Sequence, residues 1–338
     1  MEMDKVHIVV SRLMNNFGIL PQGIVIGGKR VFFHNDPRMS ADGDTVHFNF
    51  DYMITDGTIK IDSDVDAESI VPAHMLSITK RYNKFEQMTR LRNFATEQAK
   101  KGKFDIDNFV VPGVWYNKQQ SGLSNLVIPD EETVIVKPAD GARGIGQFMV
   151  KLDKIPFVVF VETLDRYRLG KITEEQFWLG LNKFSGCYVY STAGEHYENE
   201  GLLSLKNQGY VVQGFVKDVC SEYRLLTDLD GKIAYCQMRG IRDKDQSEFP
   251  QATGSDTNSI EGSDIVPIDE VVNKRTLRDL NAVASKVVGP LSSIDLFLTE
   301  DGRWGIFEYC NQFGIKGVPM ETTFKLHYDF IERLIGDK

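Results

Sequence analysis

Two stretches of this chain hold residues that could handle phosphate. The first is VIVKPADGARGIGQFMV, residues 134–150, where Lys137 sits in an apolar run and Gly141, Gly144 and Gly146 follow before a second apolar run. Glycines let backbone N–H groups approach phosphate oxygens without side-chain interference. An ammonium at Lys137 could meet the same oxygens. The spacing fits neither GxxxxGK[ST] nor a GxGxxG that opens a helix. Because QFMVKL alternates as a strand does, the glycines are expected at the tip of a β-hairpin, with Lys137 on the incoming strand. A protein kinase also lays a glycine-rich hairpin over phosphates, but its lysine comes later. An ordinary hairpin with a snorkelling lysine explains the same residues, and this stretch alone does not separate the two.

The second stretch is SSIDLFLTEDGRWGIFEYCN, residues 292–311. Asp301-Gly302 between alternating apolar runs is a two-residue hairpin signal. That turn sets Glu300 opposite Arg303, Phe297 opposite Ile306 and Asp295 opposite Glu308. Directly opposed residues share a face, with Cβ atoms roughly 4.5–5.5 Å apart. Two carboxylates there repel unless something positive lies between them. A divalent cation such as Mg²⁺ or Mn²⁺ would serve, since hard cations take carboxylate oxygens and keep positions open for phosphate. Alternatively, each acid has its own Lys or Arg, or one is protonated.

These residues need elements to position them. The first 75 or so residues read as short strands (GIVIGG, KRVFFHND, TVHFNFDYMI, GTIKID) separated by turns. Residues 84–101 read as a helix stopped by Gly102, and residues 173–184 as another with Thr173 and Gln176 as a capping pair. GYVVQGFV is a strand, EYRLLTDLDGKIAYCQM and 292–309 are hairpins, and 269–288 is a helix between them. TTFKLHYDFIERLIG closes the chain as a helix. Strand pairs and helices in separate blocks give an α+β fold with antiparallel sheets. Residues 153–208 interrupt this pattern without a functional signal. The polar stretch 243–263 reads equally as a cover near an acceptor site or as a disordered insert.

The totals exclude some classes. Acids outnumber bases, 48 to 39, which argues against a general grip on nucleic acid. No apolar run approaches the roughly 20 residues of a membrane span. MEMDKVHIVV makes a poor signal peptide. Cys187, Cys220, Cys236 and Cys310 are scattered without a CxxC, which favours a reducing, cytoplasmic setting over a disulfide framework.

In their order along the chain these pieces resemble the ATP-grasp superfamily over about residues 80–335, in the manner of its glutamate-adding and D-alanine–D-alanine ligases. The resemblance implies two α+β subdomains clasping ATP, with residues 1–78 as a β-rich N-terminal domain and 79–336 as the ATP-grasp domain. Within the latter, 79–212 would carry the glycine loop and 213–336 the metal site. YNKFEQM offers Lys84 as the first phosphate-binding lysine, with Lys80 as runner-up. VVPGVWY is similar to the family's proline-containing strand. VIVKP supplies Lys137 as the second lysine, and DGARGIG, with Gly141, Arg143, Gly144 and Gly146, the phosphate-covering loop. VVQGFVKD is similar to the hinge whose backbone reads adenine, which points to Gln213, Phe215 and Val216, although Gly214 stands where a glutamate is usual. SEYRLL points to Glu222 as the ribose-reading acid. Asp295 and Glu308 fall on the metal ligands. EYCN departs from the usual E-x-N: a bulge would bring Asn311 to the metal, whereas a regular strand would present Cys310. Amide oxygen suits Mg²⁺ better than sulfur does, which favours Asn311. Arg239 is expected beside the transferring phosphoryl group, and Arg224 reads equally as a salt-bridge partner or a site residue.

The implied activity is an ADP-forming, Mg²⁺-dependent ligation. A carboxylate of a small molecule or peptide is activated as an acyl phosphate and then attacked by an amine. Two rivals keep the fold: a kinase-like phosphotransferase acting on a hydroxyl, and a non-catalytic nucleotide-binding protein. The substrates, the third metal ligand and the oligomeric state are not legible.

Overall fold

A computed structural model describes residues 5–11, 21, 23–36, 51–55, 74–77, 83–117, 133–139, 148–152, 156–182, 190–191, 209–216, 218–241, 265–290, 292–310 and, near the end, 321–322, 324–326, 328–329 and 332. The glycine loop after Ala139, Lys80, Asn311 and the polar stretch 243–263 lie outside these residues.

The described parts form an α+β fold with three five-stranded sheets. The first uses β1 (Lys5–Ser11), β2 (Ile24–Ile26), β3 (Lys29–Asp36), β4 (Asp51–Thr55) and β5 (His74–Ser77), in the order β2-β3-β1-β4-β5. Three of its pairs, β2–β3, β1–β4 and β4–β5, are the expected antiparallel kind, but β1 runs parallel to β3. A parallel neighbour cannot be reached through a tight turn, and β2 lies in the connection between β1 and β3.

Helix α1 (Lys84–Lys100) begins and ends as its sequence dictates. Asn83 Oδ1 accepts the Glu86 N–H at 2.9 Å, and Glu86 Oε2 accepts the Asn83 N–H at 3.1 Å, a closed capping box. Gly102, at φ +67°, ends it in a Schellman motif: its N–H donates to the Ala99 carbonyl and that of Lys103 to Gln98. The buried stripe is Lys84, Gln87, Met88, Leu91 and Ala95. Its apolar members belong to a core that also takes in Val114, Val211, Ile294, Leu296 and Trp304, so α1 packs against strands of both remaining sheets.

Where the sequence reads one strand in FVVPGVWY there are two, in different sheets: β6 (Phe109–Val110) and β7 (Val114–Asn117). Pro112 and Gly113 fall between them, and a proline lacks the N–H that a continuous ladder needs. The second sheet adds β8 (Thr133–Pro138), β9 (Phe148–Lys151), α2 (Phe157–Arg168), α3 (Glu174–Asn182), β10 (Tyr190–Ser191) and β11 (Tyr210–Gly214) along the chain, with strand order β10-β9-β8-β11-β7. Strands β8 and β9 are antiparallel, as expected of arms flanking the glycine loop. Helices α2 and α3 cover this sheet through Phe160, Leu164, Tyr167 and Phe177 on Val134, Val136, Phe148 and Val150. Thus part of 153–208 is structural. The Thr173–Gln176 capping pair is present at 2.9 and 3.1 Å.

The third sheet, in the order β13-β12-β14-β15-β6, contains β12 (Val219–Thr227), β13 (Ile233–Ile241), β14 (Ser293–Thr299) and β15 (Trp304–Cys310). The helix expected over 269–288 is broken. A single turn, α4 (Ile268–Val271), precedes α5 (Lys274–Val283), which Asn273 caps by accepting the Thr276 N–H, and Ala284–Val288 continues as a π turn. Described residues between 321 and 332 are helical. Among the described residues no helix is long and apolar enough to cross a membrane.

The β14–β15 register differs from the expectation in two places. Thr299 and Arg303 close the turn, with Thr299 N–H on the Arg303 carbonyl, and Gly302 sits at φ +82°. The loop therefore has three residues rather than two, and Glu300 does not face Arg303. Leu298 pairs with Trp304 and Phe297 with Gly305, not with Ile306. A bulge at Phe307 then adds one residue to β15, and Asp295 faces Glu308 as expected.

Candidate functional site

Backbone pairing places Arg224, Asp295 and Glu308 side by side on β12, β14 and β15. Arg224 grips Asp295 with a fork: Nε donates to Oδ1 at 2.8 Å and Nη2 to Oδ2 at 3.1 Å. Such a bidentate pair is stronger and more directional than a single contact. Glu308 has its own cation, Lys84 Nζ at 3.5 Å from Oε1. Each carboxylate thus has a basic partner, which relieves the repulsion between them. Both acids stay partly open, with side chains 36% and 31% exposed, while Arg224 and Lys84 are at 19% and 8%.

Lys84 is the first residue of α1, and its N–H donates to the Ala139 carbonyl at 3.1 Å, just beyond the end of β8. That bond sets the start of the helix against the strand of Lys137. Lys137 is buried, and burial pulls its ammonium down to about 8. Glu308, Asp295 and Glu222 oppose that shift and Lys84 adds to it, so all four lie within electrostatic reach of Lys137. Arg239, on β13, is pulled down to about 10, first by burial and then by the like charge of Arg224, against Asp295 and Glu222. The expected residues Lys84, Lys137, Glu222, Arg239, Asp295 and Glu308 therefore share one electrostatic neighbourhood, together with Arg224. Among the described residues, four cations stand against three carboxylates there.

The segment expected to serve as the hinge is more constrained. Gln213 is buried and pairs with Ile135 on β8, two residues from Lys137 and so on the same face of the sheet. The Gly214 N–H donates to Gly113 and the Phe215 N–H to Thr133, each at 2.9 Å. Two backbone donors of this segment are thus used within the fold.

Asp295 and Glu308 suit a hard divalent cation in donor chemistry. Each carboxylate has about four lone-pair sites, and Arg224 uses two of those on Asp295. Among the described residues no three His, Cys, Asp or Glu side chains gather as a cage, so phosphate and water oxygens would have to complete the coordination. Strand β15 pairs regularly with β14 from Glu308 to Cys310. Gly141, Arg143, Gly144, Gly146 and Asn311 lie outside the described residues. Sequence reasoning left the Arg224–Asp295 fork undecided, because only the β12–β14 pairing reveals it. It did not find Gln87, whose Oε1 accepts the Tyr309 N–H at 3.2 Å.

No family model matches the chain, and no curated protein matches it in sequence. Several solved structures are similar to it. They include the macrocyclase MdnC of Microcystis aeruginosa bound with the precursor peptide MdnA, at 11% identity, covering 99% of this chain and 100% of that one, TM-score 0.45. A RiPP-associated ATP-grasp ligase of Chryseobacterium gregarium, in complex with ADP and a leader and core peptide, is 11% identical, with 97% and 96% covered and a TM-score of 0.44. An L-amino acid ligase from Bacillus licheniformis is 14% identical over 70% of this chain, TM-score 0.32, and the match spans 42% of that ligase's length. The Chryseobacterium gregarium protein is described as an ATP-grasp ligase, the superfamily that the sequence resembles.

Proposed function

We propose that this chain is an ATP-dependent, ADP-forming ligase that activates a carboxylate for attack by an amine. The observation that carries the reading is the row Arg224–Asp295–Glu308–Lys84, with the buried Lys137 beside it. A cluster of cations beside two opposed carboxylates is what a metal-bound triphosphate requires.

In this reading Lys84 and Lys137 hold the inner phosphates, and the loop carrying Gly141, Arg143, Gly144 and Gly146 closes over them to exclude water. The backbone around Gln213, Phe215 and Val216 takes the base, and Glu222 the ribose. Asp295 and Glu308 would hold Mg²⁺ or Mn²⁺, whose charge offsets that of the phosphates, and Asn311 would join them only if the chain bulges beyond the regular pairing that ends at Cys310. A substrate carboxylate oxygen attacks the γ-phosphorus, the bond to the β–γ bridging oxygen breaks and ADP leaves. Arg239 steadies the phosphoryl group as it passes. The amine nitrogen then attacks the acyl carbon, phosphate departs and a proton is lost from nitrogen. The protein contributes position and charge, not a covalent nucleophile. Residues 1–78 form a separate β-rich domain, 79–336 carry the site, and the carboxylate and amine are those of amino acids or peptides.

The test is ADP release over pools of amino acids, peptides and amines with Mg²⁺ and ATP. The reading expects release only when a carboxylate and an amine are both present, with an amide product. A stable phosphorylated hydroxyl compound would instead mark a phosphotransferase. Nucleotide binding without any ADP release would mark a non-catalytic binder.

A further inference from the structure

The buried stripe of α1 is apolar at Met88, Leu91 and Ala95 but polar at Lys84 and Gln87. A buried amide among such neighbours calls for a partner. Gln87 has one across 222 residues of sequence, the backbone N–H of Tyr309 at 3.2 Å. The location explains the need. Strand β6 pairs with β15 only at Trp304 and Gly305, so farther along β15 its outer edge passes to α1. Gln87 supplies an acceptor there.

The first turn of α1 is thereby pinned at two points. The Lys84 N–H meets the Ala139 carbonyl, two residues past Lys137. Three residues on, Gln87 meets Tyr309, the residue after Glu308. From these two bonds we infer that Gln87 is a positioning residue, which holds β15 at Tyr309 so that Glu308 stands against Lys84 and Lys137. The inference rests on the nucleotide-binding reading above. An apolar side chain at 87 would fill the stripe equally well but leave the Tyr309 N–H without its acceptor, and the strand would drift where Glu308 is carried.

The experiment compares ATP affinity by calorimetry in the presence of Mg²⁺, and amide exchange at Tyr309, in four proteins: wild type, Gln87→Met, Gln87→Glu and Asn273→Ala. Gln87→Met removes the acceptor at similar length, and Gln87→Glu keeps it. Asn273→Ala removes the α5 cap, a destabilising loss that involves none of the site residues. The expected result is that Gln87→Met weakens ATP about tenfold or more, the loss of one buried hydrogen bond, and speeds exchange at Tyr309. Gln87→Glu should stay within about threefold, and Asn273→Ala should melt earlier yet bind as wild type does. If Gln87→Met fails to fold, Gln87→Asn, which retracts the oxygen by one methylene, takes its place. The inference is overturned if the acceptor-less variant binds ATP like wild type, or if Asn273→Ala weakens binding equally. A wild-type chain that binds no ATP overturns the underlying reading and this inference with it. That case is recognisable because exchange at Tyr309 still responds to Gln87→Met.

Discussion

Arg224 and Asp295, 71 residues apart in sequence and directly paired across β12 and β14, are joined by two hydrogen bonds of 2.8 and 3.1 Å. The fork fixes the orientation of the Asp295 carboxylate and leaves its other lone pairs for a further partner. A lysine in place of Arg224 would keep the charge and lose the fork. Arg224→Lys is expected to cost about 1–2 kcal/mol of stability, because the pair is partly exposed. It should cost at least about tenfold in ADP formation, because the carboxylate is no longer held in one plane. Thermal melting and an ADP assay on the same preparation check both. Equal activity of the two proteins would count against a role for the fork.

Lys137 gives a pH dependence of defined sign. Burial lowers its pKa to about 8, below the ordinary 10.5. Bound phosphates favour the ammonium, so they raise that pKa and binding takes up a proton above pH 8. ATP affinity should therefore fall as pH rises from about 8 toward 9, approaching tenfold per unit. Calorimetry at pH 8.5 in two buffers of different ionisation enthalpy should detect the proton uptake, and Lys137→Met should abolish it. For the ligand-free chain the sign is opposite. Between about 8 and 10.5 the unfolded chain holds more protons at this residue than the folded one, so this lysine's contribution makes the fold more stable as pH rises through that window.

Gly305 is required by crowding rather than by backbone angle. A Cβ there would run into the Phe297 ring and the Val110 carbonyl oxygen, well inside van der Waals contact. Gly305→Ala should cost about 1–3 kcal/mol in chemical denaturation. Adding Phe297→Leu should restore only part, since the clash with the Val110 backbone remains.

The same hairpin shows how far sequence reasoning reaches. Asp295 opposite Glu308 was legible from the Asp301-Gly302 turn, yet two unseen irregularities cancel to produce it. The turn holds three residues, which slips the register by one, and the bulge at Phe307 slips it back. Asp-Gly serves turns of either length. The bulge accompanies a ring contact between Phe297 and Phe307, with centroids 4.3 Å apart, and no local pattern announces that. Helix α1 was legible from its run of residues 84–101 and the stop at Gly102, both local signals; the Asn83–Glu86 capping box is a further local signal that the structure adds. In α2 the buried Phe160, Val161, Leu164 and Tyr167 follow helical spacing, a signal present in the sequence. The Lys84–Glu308 and Gln87–Tyr309 contacts join residues more than 200 positions apart. They depend on how α1 lies against the third sheet, which no local spacing encodes.

In the proposed function, two opposed carboxylates serve the nucleotide through a divalent cation. The most direct measurement is calorimetric titration of ATP, with and without Mg²⁺, into wild type and into the Asp295→Asn, Glu308→Gln double variant. The account predicts that Mg²⁺ tightens ATP binding to wild type by at least about tenfold and that the double variant loses this gain along with ADP formation. A double variant that binds Mg²⁺-ATP as tightly as wild type and still forms ADP would contradict it.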